Sequence, residues 1–349
     1  MKKKNSTAQR KKVKFDNKYF KDPKIKKIYL TFKKQLYSQI KNEKFCIGVS
    51  GGPDSLALAF LSKIFSKEFN SKFIALIIDH NLRKQSGIEA RKVKKILTNH
   101  KIRVKILTWK GKIPKSNIQF NARNIRYFLL NNESNKLNIK NLVLAHHEGD
   151  LIENFFIRLF RGSGLKGLSS LNIKRHSEDN ILNLIRPLIN TKKNELIYIS
   201  KRIFKFYLTD PSNFKEKFLR TRIRNYLDKF KLDGLDINKV KLTLSNLQSA
   251  NESINFYKEK SIKSYVRYLQ RNSCFVSYGL FTYESEEVIF RTISDIIPKI
   301  SDSYYPPRGK DVKNLITRIQ SKKFKKSTLG RCIIEKTYNI LIFRKEYGT

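Results

Sequence analysis

The chain has 349 residues and a formal net charge of +45, because 74 lysines and arginines stand against 29 acidic residues. This length supports a large hydrophobic core and two or three domains. The charge favours a polyanionic partner such as nucleic acid, although an A+T-rich genome is an alternative source of many of the lysines.

The cysteines and the hydropathy restrict the class of protein further. Cys46, Cys274 and Cys332 lie far apart, which argues against a zinc ribbon, an iron–sulfur cluster or a disulfide framework and favours a reducing compartment. No apolar run approaches transmembrane length, and the basic N-terminus lacks the apolar segment of a secretory signal. We therefore expect a soluble, cytoplasmic protein with no membrane partner.

Predicted strands and helices alternate through the first half of the chain, after a basic arm over residues 1–20 that we expect to be disordered. Apolar runs predict strands over 45–49, 73–78, 103–107 and 141–145. Helices are predicted over 25–40, from 56 onwards, and over 87–99, 118–131 and 151–160. This alternation predicts an α/β fold with a doubly wound parallel sheet, in which ligands bind at the carboxyl ends of the strands.

The alternation stops beyond Pro211. Apolar residues at helical spacing predict helices over 216–232 and 238–270. Short apolar runs over 275–278, 288–290 and 340–343 then indicate a small mixed α+β domain. The predicted organisation is an arm (1–20), a catalytic domain (21–215), a helical linker or RNA-binding segment (216–270) and a C-terminal domain (271–349).

The most informative segment is the tight turn between the first strand and the helix that follows it. It consists of Ser50, Gly51, Gly52, Pro53, Asp54 and Ser55. Glycines allow close approach to a phosphate, and N–H groups and serine hydroxyls then donate to it. Asp54 would repel a phosphate unless a cation lies between them, so it suggests magnesium bound together with the nucleotide. The alternative is a glycine turn before an ordinary helix.

Further polar clusters follow the later strands and helices. They comprise Asp79, His80 and Arg83; Arg123 and Arg126; His146, His147, Asp150 and Glu153; Arg161 with Gly162, Gly164 and Gly167; and Arg220, Arg222 and Arg224. The histidines have neither a cysteine nor a third ligand close in the sequence, which disfavours zinc. Arg123 and Arg126 share one helical face, and a solvated face is the alternative to phosphate or nucleotide binding.

These clusters together carry a family resemblance. The Ser-Gly-Gly-x-Asp-Ser pattern resembles the pyrophosphate loop (PP-loop) of the N-type ATP pyrophosphatases. The ordered set over residues 42–230 resembles the tRNA(Ile)-lysidine synthetase family, through segments 50–55, 79–83, 122–127, 146–147, 161–168 and 210–224. The sequence departs from the family after the two histidines, where Gly149 replaces an acid and Leu151 replaces a glutamine.

The resemblance implies a two-step reaction that uses ATP and Mg²⁺. O2 of the wobble cytidine (position 34) in the CAU anticodon of tRNA(Ile) attacks the α-phosphate of ATP and pyrophosphate leaves. The ε-amine of free L-lysine then attacks C2 and displaces AMP, which forms lysidine and changes codon reading from AUG to AUA. The amine is mostly protonated at neutral pH, so the reaction requires a carboxylate or a desolvating pocket.

The resemblance also implies roles for individual residues. Asp54, Asp150 and Arg123 are expected to be catalytic, with Asp54 holding magnesium and Asp150 as the second candidate ligand. ATP is assigned to Ser50–Ser55 with Asp79 and His80, lysine to Asp150 and Glu153, and RNA to Arg83, Arg126, Arg161, Arg220, Arg222 and Arg224. The alternatives are a helix cap for Asp150, an arginine ion pair for Glu153 and a charged helix face for the last three arginines.

Three other functions compete with this one. A tRNA-thiolating enzyme of the same fold commonly needs paired cysteines, which this chain lacks. A synthetase that forms amides on small metabolites leaves the +45 charge unexplained. A non-catalytic RNA-binding relative is consistent with Gly149 but not with the intact loop. The sequence leaves open whether the chain forms a homodimer.

Overall fold

The structure is a computed structural model that describes residues 18–81, 85–111, 118–171, 174–176, 182–209, 219–270, 272–303 and 307–346. The predictions for the arm up to residue 17, for Arg83 and for the segment 210–218 lie outside these residues. Two compact units are present. The first unit comprises the described residues up to Gly162 together with Ser170–Asp236, and the second comprises Ser163–Ser169 and the described residues from Ile237. Within the described ranges, no helix combines the length and apolar character that a membrane crossing requires.

The first unit contains a six-stranded sheet with the strand order β3-β2-β1-β4-β6-β5. The strands are β1 (Phe45–Val49), β2 (Phe73–Asp79), β3 (Val104–Thr108), β4 (Asn141–Val143), β5 (Lys174–His176) and β6 (Asn183–Ile185). All neighbouring pairs are parallel except β5 with β6. The predicted doubly wound sheet is confirmed, and the unpredicted strands β5 and β6 extend it.

The order of the strands locates the binding crevice. The chain proceeds from β1 outwards to β2 and β3, and then returns to the other side of β1 with β4. Ile47 in β1 pairs with Ala75 on one side and with Val143 on the other. The strand order reverses between β1 and β4, and ligands of such sheets bind at this switch point, beyond the carboxyl ends of the strands.

Helices cover the sheet of the first unit. They are α1 (Pro23–Ile40), α2 (Pro53–Phe69), α3 (Ser86–Asn99), α4 (Ile118–Lys136), α5 (Glu148–Leu159), α7 (Lys193–Phe204) and α8 (Leu219–Leu232), preceded by a 3-10 turn (Lys18–Lys21). Helix α2 is buried on several sides because apolar residues follow one another from Leu56 to Leu61, and all six are buried. This burial fixes the N-terminus of α2 beside β1.

The second unit is an antiparallel sheet packed against helices. Its helices are α6 (Leu165–Leu168), α9 (Ile237–Tyr265), α10 (Gly279–Tyr283), α11 (Glu286–Ser301) and α12 (Gly309–Gln320). The sheet has the order β7-β8-β11-β10-β9, formed by β7 (Val266–Gln270), β8 (Ser273–Ser277), β9 (Lys326–Leu329), β10 (Cys332–Thr337) and β11 (Ile340–Lys345). Apolar side chains of α11 and α12 form the core with β8, β10 and β11.

One sequence prediction about the second unit was wrong. The helix predicted to end at 270 ends at Tyr265, because the next residues pair as a strand in which Val266 lies opposite Val276. The run 288–290 belongs to helix α11 because its buried residues recur at helical spacing, among them Val288, Ile289, Ile293 and Ile296. Short apolar runs do not distinguish a strand from part of a buried helix.

Candidate active site

The loop after β1 is held closed by one serine side chain. Ser55 Oγ accepts hydrogen bonds from the N–H of Ser50 (3.2 Å) and of Gly51 (3.1 Å), and it donates to the carbonyl of Gly52 (3.0 Å). Gly52 is the N-cap of α2 and Pro53 is its first residue. The N–H groups in the first turn of a helix have no carbonyl partner within that helix, so the turn after Pro53 is suited to bind an anion.

Gly51 is required in this loop for its backbone conformation and for space. Its φ of +88° lies in the region that side chains disfavour. A Cβ atom here would lie 2.6 Å from Cγ2 of Val93 and 2.8 Å from Cδ1 of Leu208. The carbonyl of Gly51 also accepts a hydrogen bond from the N–H of Leu208 at 2.9 Å. Val93 and Leu208 therefore pack against the loop at Gly51, while Ser50 remains exposed.

Asp54 presents a carboxylate that is only partly satisfied. Its Oδ1 is buried and has no hydrogen-bond partner among the described residues. Burial raises the pKa of the Asp54 carboxyl, and nearby Asp150 raises it further, while His147, Lys193 and Arg224 act in the opposite direction. A buried oxygen without a donor is costly unless another group binds it. Asp54 is therefore arranged to receive a cation or a donor that the described residues do not supply.

His147 lies between the two carboxylates of the site. Its Nε2 is 3.8 Å from Oδ2 of Asp54 and 3.6 Å from Oδ2 of Asp150. Its Nδ1 accepts a hydrogen bond from the N–H of Gly149 at 3.0 Å, so the neutral ring carries its proton on Nε2. The buried ring of His147 thus directs one N–H towards Asp54 and Asp150.

Asp150 is fixed by the start of helix α5. The N-cap of α5 is His147, and the Oδ2 of Asp150 accepts from the N–H of His147 at 3.1 Å, which completes a capping box. Burial acts to raise the pKa of Asp150. His147, which also donates its backbone N–H, and the charge of Arg220 outweigh burial, so the pKa of Asp150 lies below its ordinary value. The expectation that Asp150 is itself the helix cap was wrong, because α5 begins at Glu148 and Asp150 occupies its third position, where it completes the cap formed by His147.

His146 is held by a buried arginine of the Arg186-Pro187-Leu188 cluster, which the sequence marks as polar and functional without indicating a role for it. Nε of Arg186, which follows β6, donates to Nδ1 of His146 at 3.2 Å. Burial lowers the pKa of His146 to about 3, and the positive charges of Arg186, Arg220 and Arg123 add to this effect although Asp150 opposes it. His146 is therefore neutral at physiological pH. The Arg-Pro-Leu run at 186–188, directly after the apolar strand β6, was the available signal.

Glu153 joins helix α5 to helix α8 through an ion pair. It accepts hydrogen bonds from Nε and Nη2 of Arg224, the latter at 3.1 Å, and Nε of Arg220 lies 3.6 Å from its Oε2. The alternative expected for Glu153, a pair with an arginine, is present. Arg220, Arg222 and Arg161 are exposed, which leaves them accessible to a polyanion.

The residues after β2 are organised around Asp79. Its Oδ1 accepts from the N–H of Asn81 (2.9 Å) and from the hydroxyl of Ser86 (2.7 Å), so it shapes the turn that leads into α3. Burial, and then the charge of Arg126, lower the pKa of His80 to about 4. Arg123 and Arg126 are solvent-accessible, and Arg123 lies over the ring of Tyr127 at 5.0 Å. Asp79 would therefore affect nucleotide binding through the shape of this turn, and that role stays a prediction.

The two acidic residues beside His147 fit magnesium better than a transition metal. The unpartnered Oδ1 of Asp54 and the carboxylate of Asp150 are the hard oxygen ligands that Mg²⁺ prefers. In the part of the chain that the structure describes, no group of three His, Cys, Asp or Glu side chains has the arrangement of a metal site. A site completed by phosphate oxygens needs only one or two carboxylates.

Fold and site together define an ATP-binding protein of the PP-loop class, and the family model of the PP-loop domain matches residues 25–230. The tRNA(Ile)-lysidine synthase of Orientia tsutsugamushi is 34% identical over 320 residues, which cover 88% of this chain and 71% of that protein. The enzyme of Rickettsia felis is 32% identical over 328 residues, 92% of this chain and 74% of that protein. The chain belongs to the tRNA(Ile)-lysidine synthase family.

A solved structure supports the fold alone. The tRNA thiolase NcsA from Methanococcus maripaludis superposes with a TM-score of 0.55 at 20% identity, covering 66% of this chain and 78% of the thiolase. That structure holds a [4Fe-4S] cluster, whereas the three cysteines of this chain are free and buried. The rival prediction of a thiolating enzyme therefore gains no support from the cysteines.

Proposed function

We propose that this chain joins L-lysine to C2 of the wobble cytidine in the CAU-anticodon tRNA(Ile), using ATP and Mg²⁺ and releasing pyrophosphate and AMP. One observation carries the proposal. The carboxylates of Asp54 and Asp150 both lie within 3.8 Å of Nε2 of His147, beside the PP-loop at the switch point of the sheet, in a member of this family.

The loop binds the phosphates of ATP in this proposal. The exposed Ser50 and the N–H groups in the first turn of α2 face the triphosphate, and the dipole of α2 favours its negative charge. Ser55 keeps the loop closed through its three hydrogen bonds. Asp54 would hold magnesium, with Asp150 as its second ligand in this first step only, and the ion would neutralise charge on the departing pyrophosphate.

Cytidine O2 attacks the α-phosphorus, and the bond from that phosphorus to the bridging oxygen of pyrophosphate breaks. Negative charge accumulates on the phosphoryl oxygens during this step. The charges of Arg220 and Arg123 act on His146, and that of Arg220 also acts on Asp150. Arg126 lies close enough to Arg123 and Arg220 to be repelled by them, so these arginines concentrate positive charge that can stabilise the phosphoryl oxygens. Adenylation turns the C2 oxygen into a good leaving group.

The ε-nitrogen of lysine then bonds to C2, and the bond from C2 to the adenylated oxygen breaks to release AMP. Asp150 is ionised at neutral pH because its pKa lies below the ordinary value, so it holds the incoming ammonium and accepts a proton from it as the amine reacts. Glu153 contributes negative charge near this position but is already paired with Arg224. We therefore assign lysine principally to Asp150.

The test is to incubate the full chain with ATP, Mg²⁺, lysine and a CAU-anticodon tRNA(Ile) transcript. Mass spectrometry of the nucleosides should detect lysidine, and pyrophosphate release should require the transcript. Asp54→Ala should slow pyrophosphate release by about 100-fold or more, as expected for the loss of a charged group at the reacting phosphates. The control is Asp228→Ala, which removes an exposed carboxylate from α8. An unchanged rate of pyrophosphate release in Asp54→Ala would exclude the proposal that this loop binds the phosphates of ATP.

A further inference from the structure

Helices α5 and α8 carry an exposed group of rings that no step of the proposed reaction uses. We call Phe156, Phe160, Tyr226 and Phe230 the aromatic surface. The ring centroid of Phe156 lies 6.3 Å from that of Phe160 and 6.5 Å from that of Phe230. Phe160 is 57% exposed, Tyr226 47% and Phe230 40%. Tyr226 precedes Phe230 by one helical turn and shares its face of α8.

The charges around the aromatic surface suit a polyanion. Helix α8 contains five basic residues and one acidic residue, and the acidic one, Asp228, pairs with Lys231 at 2.8 Å. Arg222 lies one turn before Tyr226, so Arg222, Tyr226 and Phe230 form a stripe along one side of the helix. Three of the five basic residues pair with Glu153 or Asp228, whereas Arg222 and Lys229 form no ion pair with a described acidic residue. Exposed rings beside such free positive charges suit the bases and phosphates of a nucleic acid.

The aromatic surface lies close to the reacting groups of the first unit. Arg224, which pairs with Glu153, is followed by Tyr226 after two residues and by Phe230 after six. At about 1.5 Å per residue, the path along α8 from Arg224 to Phe230 is about 9 Å. This distance is comparable to roughly three stacked bases at about 3.4 Å each. Nucleotides adjacent to a base in the active site would therefore reach these rings.

We propose that the aromatic surface binds unpaired bases of a single-stranded RNA loop by stacking, while Arg222 binds the loop's phosphates. This inference rests on the proposed function and names the form of RNA that the site accepts. Single-stranded loops expose base faces that stack on Phe and Tyr, whereas the bases of a duplex are already stacked on each other. The surface therefore selects a loop over a helical stem next to the target cytidine.

The experiment compares two RNA probes without ATP or lysine. One is a stem–loop with the CAU anticodon loop, and the other is a blunt duplex with the sequence of its stem. Affinity is measured by fluorescence anisotropy at several KCl concentrations. The double variant Tyr226→Ala/Phe230→Ala should bind the stem–loop at least about tenfold more weakly with an unchanged salt slope, because rings stack on bases and neutralise no phosphates. Its affinity for the duplex should equal that of the wild type.

Arg222→Ala gives the complementary result. It should weaken binding of both probes and reduce the salt slope by about one, since one phosphate contact is lost. The matched control is Tyr283→Ala/Tyr338→Ala, which removes two rings that are 78% and 93% exposed in the second unit and should leave both affinities unchanged. Tyr226→Leu/Phe230→Leu keeps apolar packing and should lose the same loop affinity, which separates stacking from misfolding.

Three results would overturn the inference. Equal losses for stem–loop and duplex, or no loss for either, would show that the rings do not stack on the loop. A dimeric wild type that becomes monomeric in the double variant during sedimentation would identify the rings as a contact between copies of this chain. If the wild type binds the stem–loop selectively but forms no lysidine, the proposed function is contradicted. The inference that the aromatic surface binds an RNA loop then still holds.

Discussion

The imidazole of His147 occupies space that only a glycine at position 149 leaves open. Nδ1 of His147 accepts from the N–H of Gly149 at 3.0 Å, and a Cβ atom on Gly149 would lie 2.8 Å from Cε1 of the ring. The ring is buried, so it has little freedom to move away. The family resemblance predicts an acid at position 149. The glycine found there instead leaves the space that the ring of His147 needs to reach both Asp54 and Asp150.

Substitution of Gly149 should disturb the active site more than it disturbs the fold. In Gly149→Ala the ring of His147 must shift, which removes the helix cap and the Nε2 contacts with the two carboxylates. We expect a loss of about 1 kcal/mol in the free energy of unfolding from the cap. We also expect about a tenfold or greater loss in the rate of pyrophosphate release, because misplacement of catalytic groups by about 1 Å costs more than that.

The control for this substitution is Gly164→Ala. Its added Cβ would meet no atom within 4 Å, and its φ of −69° is accessible to alanine. Gly149→Asp provides a second variant, since its carboxylate would compete with Asp150 for His147. Wild-type turnover in both Gly149 variants, measured with ATP, lysine and tRNA, would show that the position of His147 does not matter.

The serine that closes the PP-loop gives a prediction about nucleotide affinity. Ser55→Ala removes the acceptor for the N–H groups of Ser50 and Gly51 and the donor to the carbonyl of Gly52. The loop should become mobile and bind Mg²⁺–ATP about tenfold or more weakly, because ordering it then costs free energy on binding. Isothermal titration calorimetry measures this affinity directly. Ser62→Ala, at a buried hydroxyl on the same helix, is the control and should leave ATP affinity unchanged.

The sequence allowed the central part of this site to be predicted because its signals are local. A β-branched and apolar strand, a glycine turn and an apolar helix lie within about 20 consecutive residues, and each limits the conformation of the next. Asp54 was predicted from this local context, whereas Asp150 was predicted from the resemblance of the segment after the two histidines to the family. The bridging position of His147 was not predictable in this way, since it depends on a helix cap and on the absence of a side chain at position 149.

Residues that reach the site from distant elements could not be given a role from the sequence, for a different reason. Arg186 follows β6, a three-residue strand whose pairing with β4 determines where the arginine lies. Lys193 opens α7, and its charge acts on Asp54 only because α7 packs against α2. Neither strand order nor helix packing is encoded in a short stretch of sequence, so these contacts required the folded structure.

His80 predicts how the stability of the chain depends on pH. Burial and then the charge of Arg126 lower the pKa of His80 to about 4, with Asp79 opposing them, and its Nδ1 is buried without a partner among the described residues. Between pH 4 and 6.5 the unfolded chain therefore holds a proton that the folded ring does not. The contribution of His80 is fully present above pH 6.5 and is lost as the pH falls towards 4.

The variant His80→Gln isolates this contribution. The free energy of unfolding, measured in urea between pH 4.5 and 7.5, should fall more steeply with decreasing pH in the wild type than in the variant. The difference in slope should approach about 1.4 kcal/mol per pH unit at most, the value for one proton. Parallel curves for the two proteins would mean that His80 titrates normally in the folded chain.

A buried arginine predicts the stability of the second unit. Arg291 is 1% exposed and donates to Oε1 of Glu287 (2.7 Å), Oδ1 of Asn251 (2.7 Å) and Oδ1 of Asn255 (3.0 Å), so it joins α9 to α11. Arg291→Met keeps much of the volume but leaves these acceptors without a donor. We expect the free energy of unfolding to fall by about 2–4 kcal/mol, since breaking a buried network leaves uncompensated polar groups.

Hydrogen exchange of amides in α9 and α11 measures this effect within the full chain, because exchange reports local opening of each helix. The control is Arg344→Met, which removes an arginine of the same unit that is 50% exposed and pairs with Glu335 at 3.1 Å. Such a surface pair contributes at most about 1 kcal/mol, so protection should change little. Equal protection of α9 and α11 in Arg291→Met and in the wild type would show that the buried arginine does not hold the two helices together.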